Sequence, residues 1–376
     1  MSVRPGARAE GADYAGNAQS AAAALQGWYN QAAGLWDTTG WWNSANCLTV
    51  LVDWASRAGS STGIDVPAIV ANTFNNAQHT NMAVQKTFSA TGLITSTYSL
   101  RRTKKRGFDD FINEYYDDEG WWALALIRAW DVTKETAYLN MAETIFRDMQ
   151  AGTDTKCGGG IWWSKERAYK NAIANELYLS VAASLANRVP GSKDRYTQIA
   201  KDQWNWFKGS GMINGDHLIN DGLRINDDGS CVNNGLNTWS YNQGVVLGGL
   251  VELSKATGDS SYLGEAVAIA NAAIKLLSDS NGIIHEVDEC EPNCGNDGSQ
   301  FKGIFVRNLG YLHLAAPQAA FRAAIEKNAD SIWAKNRNSK NQLGISWAGP
   351  PDLGSGPNAS THSSAMDVIV AALAVA

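Results

Sequence analysis

Apolar residues recur at three- and four-residue intervals over twelve stretches of the chain. These lie near 15–32, 43–57, 64–82, 119–132, 135–151, 169–188, 193–208, 240–256, 259–278, 302–315, 317–336 and 362–375. That spacing lines one face of an α-helix. Between them fall clusters of Gly, Asn, Asp, Ser and Pro, the residues that break helices and make turns. Strand-like alternation is confined to short pieces such as Leu93-Ile94-Thr95-Ser96-Thr97-Tyr98. The pattern predicts an all-α fold of twelve helices.

A weak internal repeat suggests how the helices pair. Asp131-Val132-Thr133-Lys134-Glu135-Thr136-Ala137-Tyr138-Leu139 resembles Lys255-Ala256-Thr257-Gly258-Asp259-Ser260-Ser261-Tyr262-Leu263, and Pro190-Gly191-Ser192-Lys193-Asp194-Arg195-Tyr196 is a looser copy. In each, a polar turn closes one helix and an aromatic enters the first turns of the next. The tyrosines are 58 and 66 residues apart. A period of about sixty holding two helices points to stacked hairpins. Six such hairpins would close a ring, the (α/α)6 barrel; an open solenoid is the alternative. Residues 13–376 are expected to form this single domain, with 1–12 disordered outside it.

The 15 tryptophans change the picture from fold to function. Trp41-Trp42, Trp121-Trp122, Trp162-Trp163 and Trp239 with Tyr241 fall at the starts of even-numbered helices, followed by Phe301 and His362. Successive helices of a ring run antiparallel, so all even-numbered starts lie at one end. An aromatic crater is therefore expected there. Any one doublet is equally well read as core packing or a hydrophobic staple. Polar groups keep the same phase: Asn46, then Asp117, Asp118 and Glu119, then Lys165, Arg167, Asn171, Asn242, Gln243, Lys302 and Arg307. Flat rings for C–H faces, with amides and cations for hydroxyls, suit a carbohydrate.

Charge narrows the ligand. The formal net charge of −6 argues against nucleic acid, which calls for a basic face, and disfavours polyanionic sugars. No run of 18 or more apolar residues appears, so no membrane span is expected. Cys290 and Cys294 sit in a Gly/Pro/Asn-rich loop that suits a small disulfide, with a free pair or an opportunistic metal site as the alternatives. A second bridge, Cys157 to Cys231, is the weaker expectation and leaves Cys47 single. The opening residues lack an apolar signal core, so either an export signal has been replaced or the protein is cytosolic. Asn358-Ala359-Ser360, a glycosylation acceptor pattern, leans towards secretion.

Hydrolysing a glycoside by the usual route needs two carboxyl groups about the anomeric carbon. Asp-Asp pairs occur at 109–110, 117–118 and 227–228, so the dipeptide alone says little. Only Asp117-Asp118 sits at an even-helix start, enclosed by Tyr115, Tyr116, Trp121 and Trp122. Acids at a helix N-terminus ordinarily cap N–H groups and complement the dipole. Three in succession, with Glu119, exceed that need. Side chains diverging from adjacent Cα atoms reach the ~5–5.5 Å separation of a retaining site more easily than the ~6.5–9.5 Å of an inverting one. Repulsion should leave one of the two protonated as acid and the other ionised as nucleophile. Walker, His-Glu-x-x-His and dinucleotide motifs are absent, and Ile219, Arg224 and Gly295 break calcium-loop spacing. No metal and no cofactor are expected.

With these residues in view, the chain resembles glycoside hydrolase family 76, the endo-α-1,6-mannanases and related fungal wall enzymes. The resemblance is carried by Tyr115-Tyr116-Asp117-Asp118-Glu119-Gly120-Trp121-Trp122-Ala123-Leu124-Ala125, by Trp239-Ser240-Tyr241-Asn242-Gln243-Gly244, and by Phe301-Lys302-Gly303-Ile304-Phe305-Val306-Arg307. Trp41-Trp42-Asn43-Ser44-Ala45-Asn46 and Tyr169-Lys170-Asn171-Ala172-Ile173-Ala174-Asn175-Glu176 support it. It implies the barrel fold and Asp117 as nucleophile with Asp118 as acid/base. It also implies retention of configuration and mannosyl units held by the crater. The expected substrate-binding set is Trp41, Trp42, Asn46, Tyr116, Trp121, Trp122, Trp163, Trp239, Tyr241, Asn242, Gln243, Lys302 and Arg307. The reading is a secreted, monomeric endo-acting hydrolase of α-1,6-mannan or manno-oligosaccharides. A transglycosidase acting on mannan or a GPI glycan, and a silent carbohydrate-binding barrel, stand as alternatives.

Overall fold

The computed structural model describes residues 12–58, 63–79, 82–88, 94–100 and 110–376; within 82–88 and 94–100 only Lys86, Thr87 and Ser96 are described to the side chain. Of the N-terminal segment expected to lie outside the fold, residues 1–11 are outside the described residues. Twelve α-helices follow in order: α1 Tyr14–Leu25, α2 Trp41–Ala58, α3 Val66–Ala77, α4 Tyr116–Thr133, α5 Thr136–Ala151, α6 Ala172–Ala186, α7 Lys193–Gly209, α8 Ser240–Thr257, α9 Ser261–Leu277, α10 Gly295–Ala315, α11 Ala319–Lys335 and α12 Ala359–Val375.

The even- and odd-numbered helices differ in kind, and the difference decides the architecture. Every residue of α6 is buried, as is α12 from Ala359 to Ala372. Buried on every face, these helices are enclosed on all sides. By contrast α5 buries a single stripe, Tyr138, Leu139, Ala142, Ile145, Phe146 and Met149, at three- and four-residue spacing. It can cover a core but cannot sit inside one. Accordingly α2, α4, α6, α8, α10 and α12 pack side by side into a closed inner ring, α12 meeting α2. The odd helices lie against its outside: α3 on α2, α5 on α4, α7 on α6, α9 on α8, and α1 and α11 on α12. This is the (α/α)6 barrel, and the open solenoid is excluded.

Local chemistry sets the boundaries. Asp65 caps α3 by accepting from Ala68 N, with Pro67 in the first turn. Asn358 and Thr361 form a reciprocal capping box on α12. The repeated turn closes α4 at Lys134 and α8 at Gly258, both left-handed (φ 59° and 75°), the conformation a glycine takes without steric cost. Close approach requires another glycine: a Cβ on Gly303 of α10 would lie 2.3 Å from the Ser364 carbonyl oxygen of α12.

Three stretches depart from expectation. The helix expected over 15–32 stops at Leu25, that over 64–82 stops at Ala77 with Met82 opening a strand, and that over 302–315 begins earlier, at Gly295. Among the described residues three two-stranded antiparallel ribbons decorate the barrel: β1 Tyr29–Asn30 with β2 Leu35–Trp36, β3 Met82–Phe88 with β4 Ile94–Leu100, and β5 Leu223–Ile225 with β6 Cys231–Asn233. In the second ribbon Lys86 pairs directly with Ser96, so their side chains share one face. Both expected disulfides are present, Cys290–Cys294 and Cys157–Cys231, and Cys47 is a buried free thiol. No described helix is long and apolar enough to cross a membrane.

Candidate active site

Tyr115 enters α4 in an extended conformation and offers no side-chain cap. The entry is held from outside instead: Tyr116 N donates to Trp163 O at 2.9 Å, and Lys165 N to Glu114 O at 3.0 Å. This clasp carries Asp117, Asp118 and Glu119 into the mouth of the ring. The three acids then meet three different fates.

Glu119 turns away from the mouth. Lys165 Nζ donates to its Oε1 at 2.5 Å and to Asp148 at 2.7 Å, and Asn113 N donates to the same Oε1 at 3.2 Å. Its role is to fasten α4. Asp118 is fully buried, accepting from Asn113 Nδ2 at 2.7 Å and from Lys86 Nζ at 2.6 Å. Asp117 accepts at Oδ2 from Trp163 Nε1 at 3.0 Å, and Lys86 Nζ lies 3.3 and 3.2 Å from its two oxygens. One ammonium thus bridges both carboxylates. Oxygens bonded to a single nitrogen at 3.2 and 2.6 Å are at most 5.8 Å apart, the sum of the two bonds.

Burial pushes the Asp118 carboxyl up to about 7, with the charge of Asp117 adding to the rise and Lys86 and Asn113 opposing it. Asp118 is therefore poised to hold or release a proton near neutrality. Lys86 is held protonated in spite of burial, by Asp117 and Asp118 and more distantly by Asp297.

Asp117, Trp42, Trp121, Tyr241, Phe301, Asp297 and Lys86 surround a space of about 230 Å³. Trp42 and Trp121 stack at 5.4 Å between centroids, and Tyr241 lies on Phe301 at 3.8 Å. Asp297, in the first turn of α10, accepts from Trp42 Nε1 at 2.8 Å and from Ser96 Oγ at 2.7 Å. These aromatic side chains meet where the N-terminal ends of α2, α4, α8 and α10 converge. Glu176, Asp221 and Asn242 are fully buried, with Asp221 and Glu176 close enough to act on the Tyr241 hydroxyl. Among the described residues both Glu176 oxygens, Asp221 Oδ1 and both amide atoms of Asn242 lack hydrogen-bond partners.

Of the residues expected to bind substrate, the structure brings Trp42, Trp121, Tyr241 and, through its bond to Asp117, Trp163 to the acid pair. Tyr116 and Trp239 flank it, Tyr116 facing the Lys165 ammonium and Trp239 packing edge-on against Phe301. Others are engaged elsewhere. Trp41 packs with Phe111 and Trp122 between α2 and α4 and donates to Ala77 O. Gln243 clamps the backbone of Ile219 through both its amide atoms. Lys302 ties down Glu291 and the carbonyl of Ile345. Asn46 accepts from Arg307, which also pairs with buried Asp367. Arg307 lines a separate cavity of about 660 Å³ with Arg128, Arg188, Glu252 and Tyr311, and each of these guanidiniums is paired with acids. His362 shares the phase of the crater residues but receives Leu343 N and contacts Ala21 O, so its work is structural. The same phase that aims one side chain into the mouth aims its neighbour, about 100° round the helix, into a helix–helix seam.

Lys86, Asn113, Asp297 and Ser96 were not expected. Asn113 stands five residues from Asp118 in an irregular link, and Lys86 on an isolated ribbon, so helical periodicity carried no signal for either.

The chain matches the description of glycosyl hydrolase family 76 over residues 13–376. It belongs to that family. A putative mannan endo-1,6-alpha-mannosidase of Schizosaccharomyces pombe is 29% identical over 74% of the chain and 60% of the relative. The mannan endo-1,6-alpha-mannosidase DFG5 of Candida albicans is 32% identical over 58% of the chain and 51% of the relative. The family 76 chain thus spans little more than half the length of these relatives. Among solved structures, an alpha-1,6-mannanase of Salegentibacter sp. HEL1_6 superposes with a TM-score of 0.79 at 20% identity, covering 97% of this chain and 100% of the other. That protein is an inactive variant, two successive aspartates replaced by asparagine, in complex with alpha-1,6-mannotriose. Dfg5 from Chaetomium thermophilum, in complex with glucosamine, superposes with a TM-score of 0.75 at 16% identity, over 96% of this chain and 90% of the other.

Proposed function

We propose that this family 76 chain is a retaining, endo-acting glycoside hydrolase of α-1,6-linked mannan, with Asp117 as nucleophile and Asp118 as acid/base. The observation that carries the reading is the carboxylate pair at the crater floor. The two acids share one cation and so lie within 5.8 Å at their nearest bonded oxygens. That separation lies nearer the ~5–5.5 Å of a retaining site than the ~6.5–9.5 Å of an inverting one. Asp118, at about 7, carries the proton that the leaving glycosidic oxygen needs.

The sequence of events follows from these atoms. Asp117 attacks the anomeric carbon as Asp118 delivers its proton to the departing oxygen, giving a mannosyl ester on Asp117. Asp118, now ionised, takes a proton from water, whose oxygen attacks the same carbon and releases Asp117. Trp163 Nε1 steadies one Asp117 oxygen throughout, leaving the other to attack. Trp42, Trp121 and Tyr241 offer ring faces to pyranose C–H groups. The unpartnered amide of Asn242 and oxygens of Glu176 suit sugar hydroxyls, since buried polar groups left unpaired are costly. The names of the relatives and the mannotriose bound by the Salegentibacter protein support mannan as substrate. Two disulfides favour an extracellular setting. Residues 13–376 act as one catalytic unit, as a monomer.

Incubation with linear α-1,6-mannan tests this. Internal cleavage with an α-configured first product is expected, and Asp117→Asn and Asp118→Asn should each abolish reducing-end release while the far-UV circular dichroism is retained. Near-normal activity in either variant, or a β-configured first product, overturns the assignment. Transfer of mannosyl units to an added acceptor, in place of free reducing ends, identifies a transglycosidase.

A further inference from the structure

We propose that Lys86 is a specificity-determining residue: its ammonium occupies the position of the substrate's anomeric centre and must be displaced, so short oligosaccharides are discriminated against. The inference rests on the reading of the site as a mannanase.

The position of the ammonium is the first observation. Lys86 Nζ is within 3.3 Å of both oxygens of Asp117 and 2.6 Å from Asp118, while its side chain is 2% exposed. It lies 4.5 Å from the centroid of Tyr115 and 5.4 Å from that of Trp163. The point between nucleophile and acid is where a glycosidase collects the positive charge of an oxocarbenium-like transition state. Here a resident cation sits at that point, and no oxygen of Asp117 is left for in-line attack while it stays.

Space is the second. Trp42, Trp121, Tyr241, Phe301, Asp297 and Asp117 close tightly around the space, and Lys86 is one of its walls. Withdrawing the lysine enlarges the site and frees the nucleophile together.

The third is what carries it. Lys86 projects from the β3–β4 ribbon, not from the ring. Its cross-strand partner Ser96 ties the same face to Asp297 on α10. A two-stranded ribbon has little stability of its own, so it yields more readily than a barrel helix. Even so, extracting a buried ammonium from two carboxylates has a cost. Binding energy from mannosyl units remote from the reacting bond must supply it. A long chain provides that energy, and a disaccharide does not.

The test is kcat/KM for α-1,6-linked oligosaccharides from mannobiose to mannohexaose, in wild type, Lys86→Met and Lys86→Arg. Wild type should rise steeply with length. Lys86→Met should gain on the shortest cleaved substrate, through KM, by about tenfold or more, with a far smaller change on mannohexaose. Lys86→Arg, which keeps the cation, should keep the steep dependence, and a second uncharged variant, Lys86→Gln, should follow Lys86→Met. An unchanged length dependence in both uncharged variants, or a loss by the same factor at every length, overturns the proposal while leaving the mannanase reading intact. A wild type that cleaves none of the series overturns both.

Discussion

Asn113 offers a sharp test of how the acid is tuned. Its Nδ2 donates to Asp118 Oδ2 at 2.7 Å in a site where Asp118 has no exposure and Asn113 is itself buried. The bond favours the ionised carboxylate. In Asn113→Ala the ionised form loses a hydrogen bond to a charged group, a loss of about 1.5–3 kcal/mol, part of which the protonated form also bears. At 1.36 kcal/mol per pK unit, the pKa of Asp118 should rise by roughly one unit from about 7. The sign follows from the role. An acid catalyst works while protonated, so activity is full below the pKa and lost as pH rises through it. The basic limb of kcat/KM against pH, which reports the free enzyme, should therefore shift upward in the variant. The assay is reducing-end release from linear α-1,6-manno-oligosaccharides across about pH 5 to 9.5. Asn113 Oδ1 also receives Tyr115 N, so some loss of Tm is expected and is separable from the pH shift. A basic limb that stays in place or moves down would refute both the role of Asp118 and the electrostatic argument.

Two further predictions concern the scaffold. Loss of the Cys157–Cys231 bridge, which spans 74 residues, should destabilise by about 4 kcal/mol, and loss of Cys290–Cys294 by about 2 kcal/mol, in the loop-entropy account. Urea unfolding of the two double-serine variants checks the ordering, and equal losses would count against that account. Gly303→Ala should cost about 3 kcal/mol, because the added Cβ meets α12 backbone that cannot move without opening the ring. Gly264→Ala on α9, with nothing within 4 Å of the new Cβ, should stabilise by about 0.5–1 kcal/mol, so a similar outcome at both sites would undo the argument from close approach.

The amino-acid sequence by itself determined the twelve helices, because each depends on periodicity and caps within about twenty residues. The crater and Asp117-Asp118 were legible because they recur at helix starts that antiparallel packing must bring together. The pairing of Cys157 with Cys231 was one of several arithmetically open choices until the ribbon β5–β6 brought the two thiols together. Only the tertiary structure decided which polar residues remain for a ligand. Arg307, Asn46, Lys302 and Gln243 hold the motif positions, yet they are bound to Asp367, Glu291 and the Ile219 backbone across distant parts of the chain. Lys86 reaches the acids from 31 residues upstream, on a ribbon whose register alone turns it inward. Secondary structure is written in neighbours along the chain. The charge environment of a buried carboxylate is set by whatever the closed ring places within a few ångströms of it, and no local pattern encodes that distance.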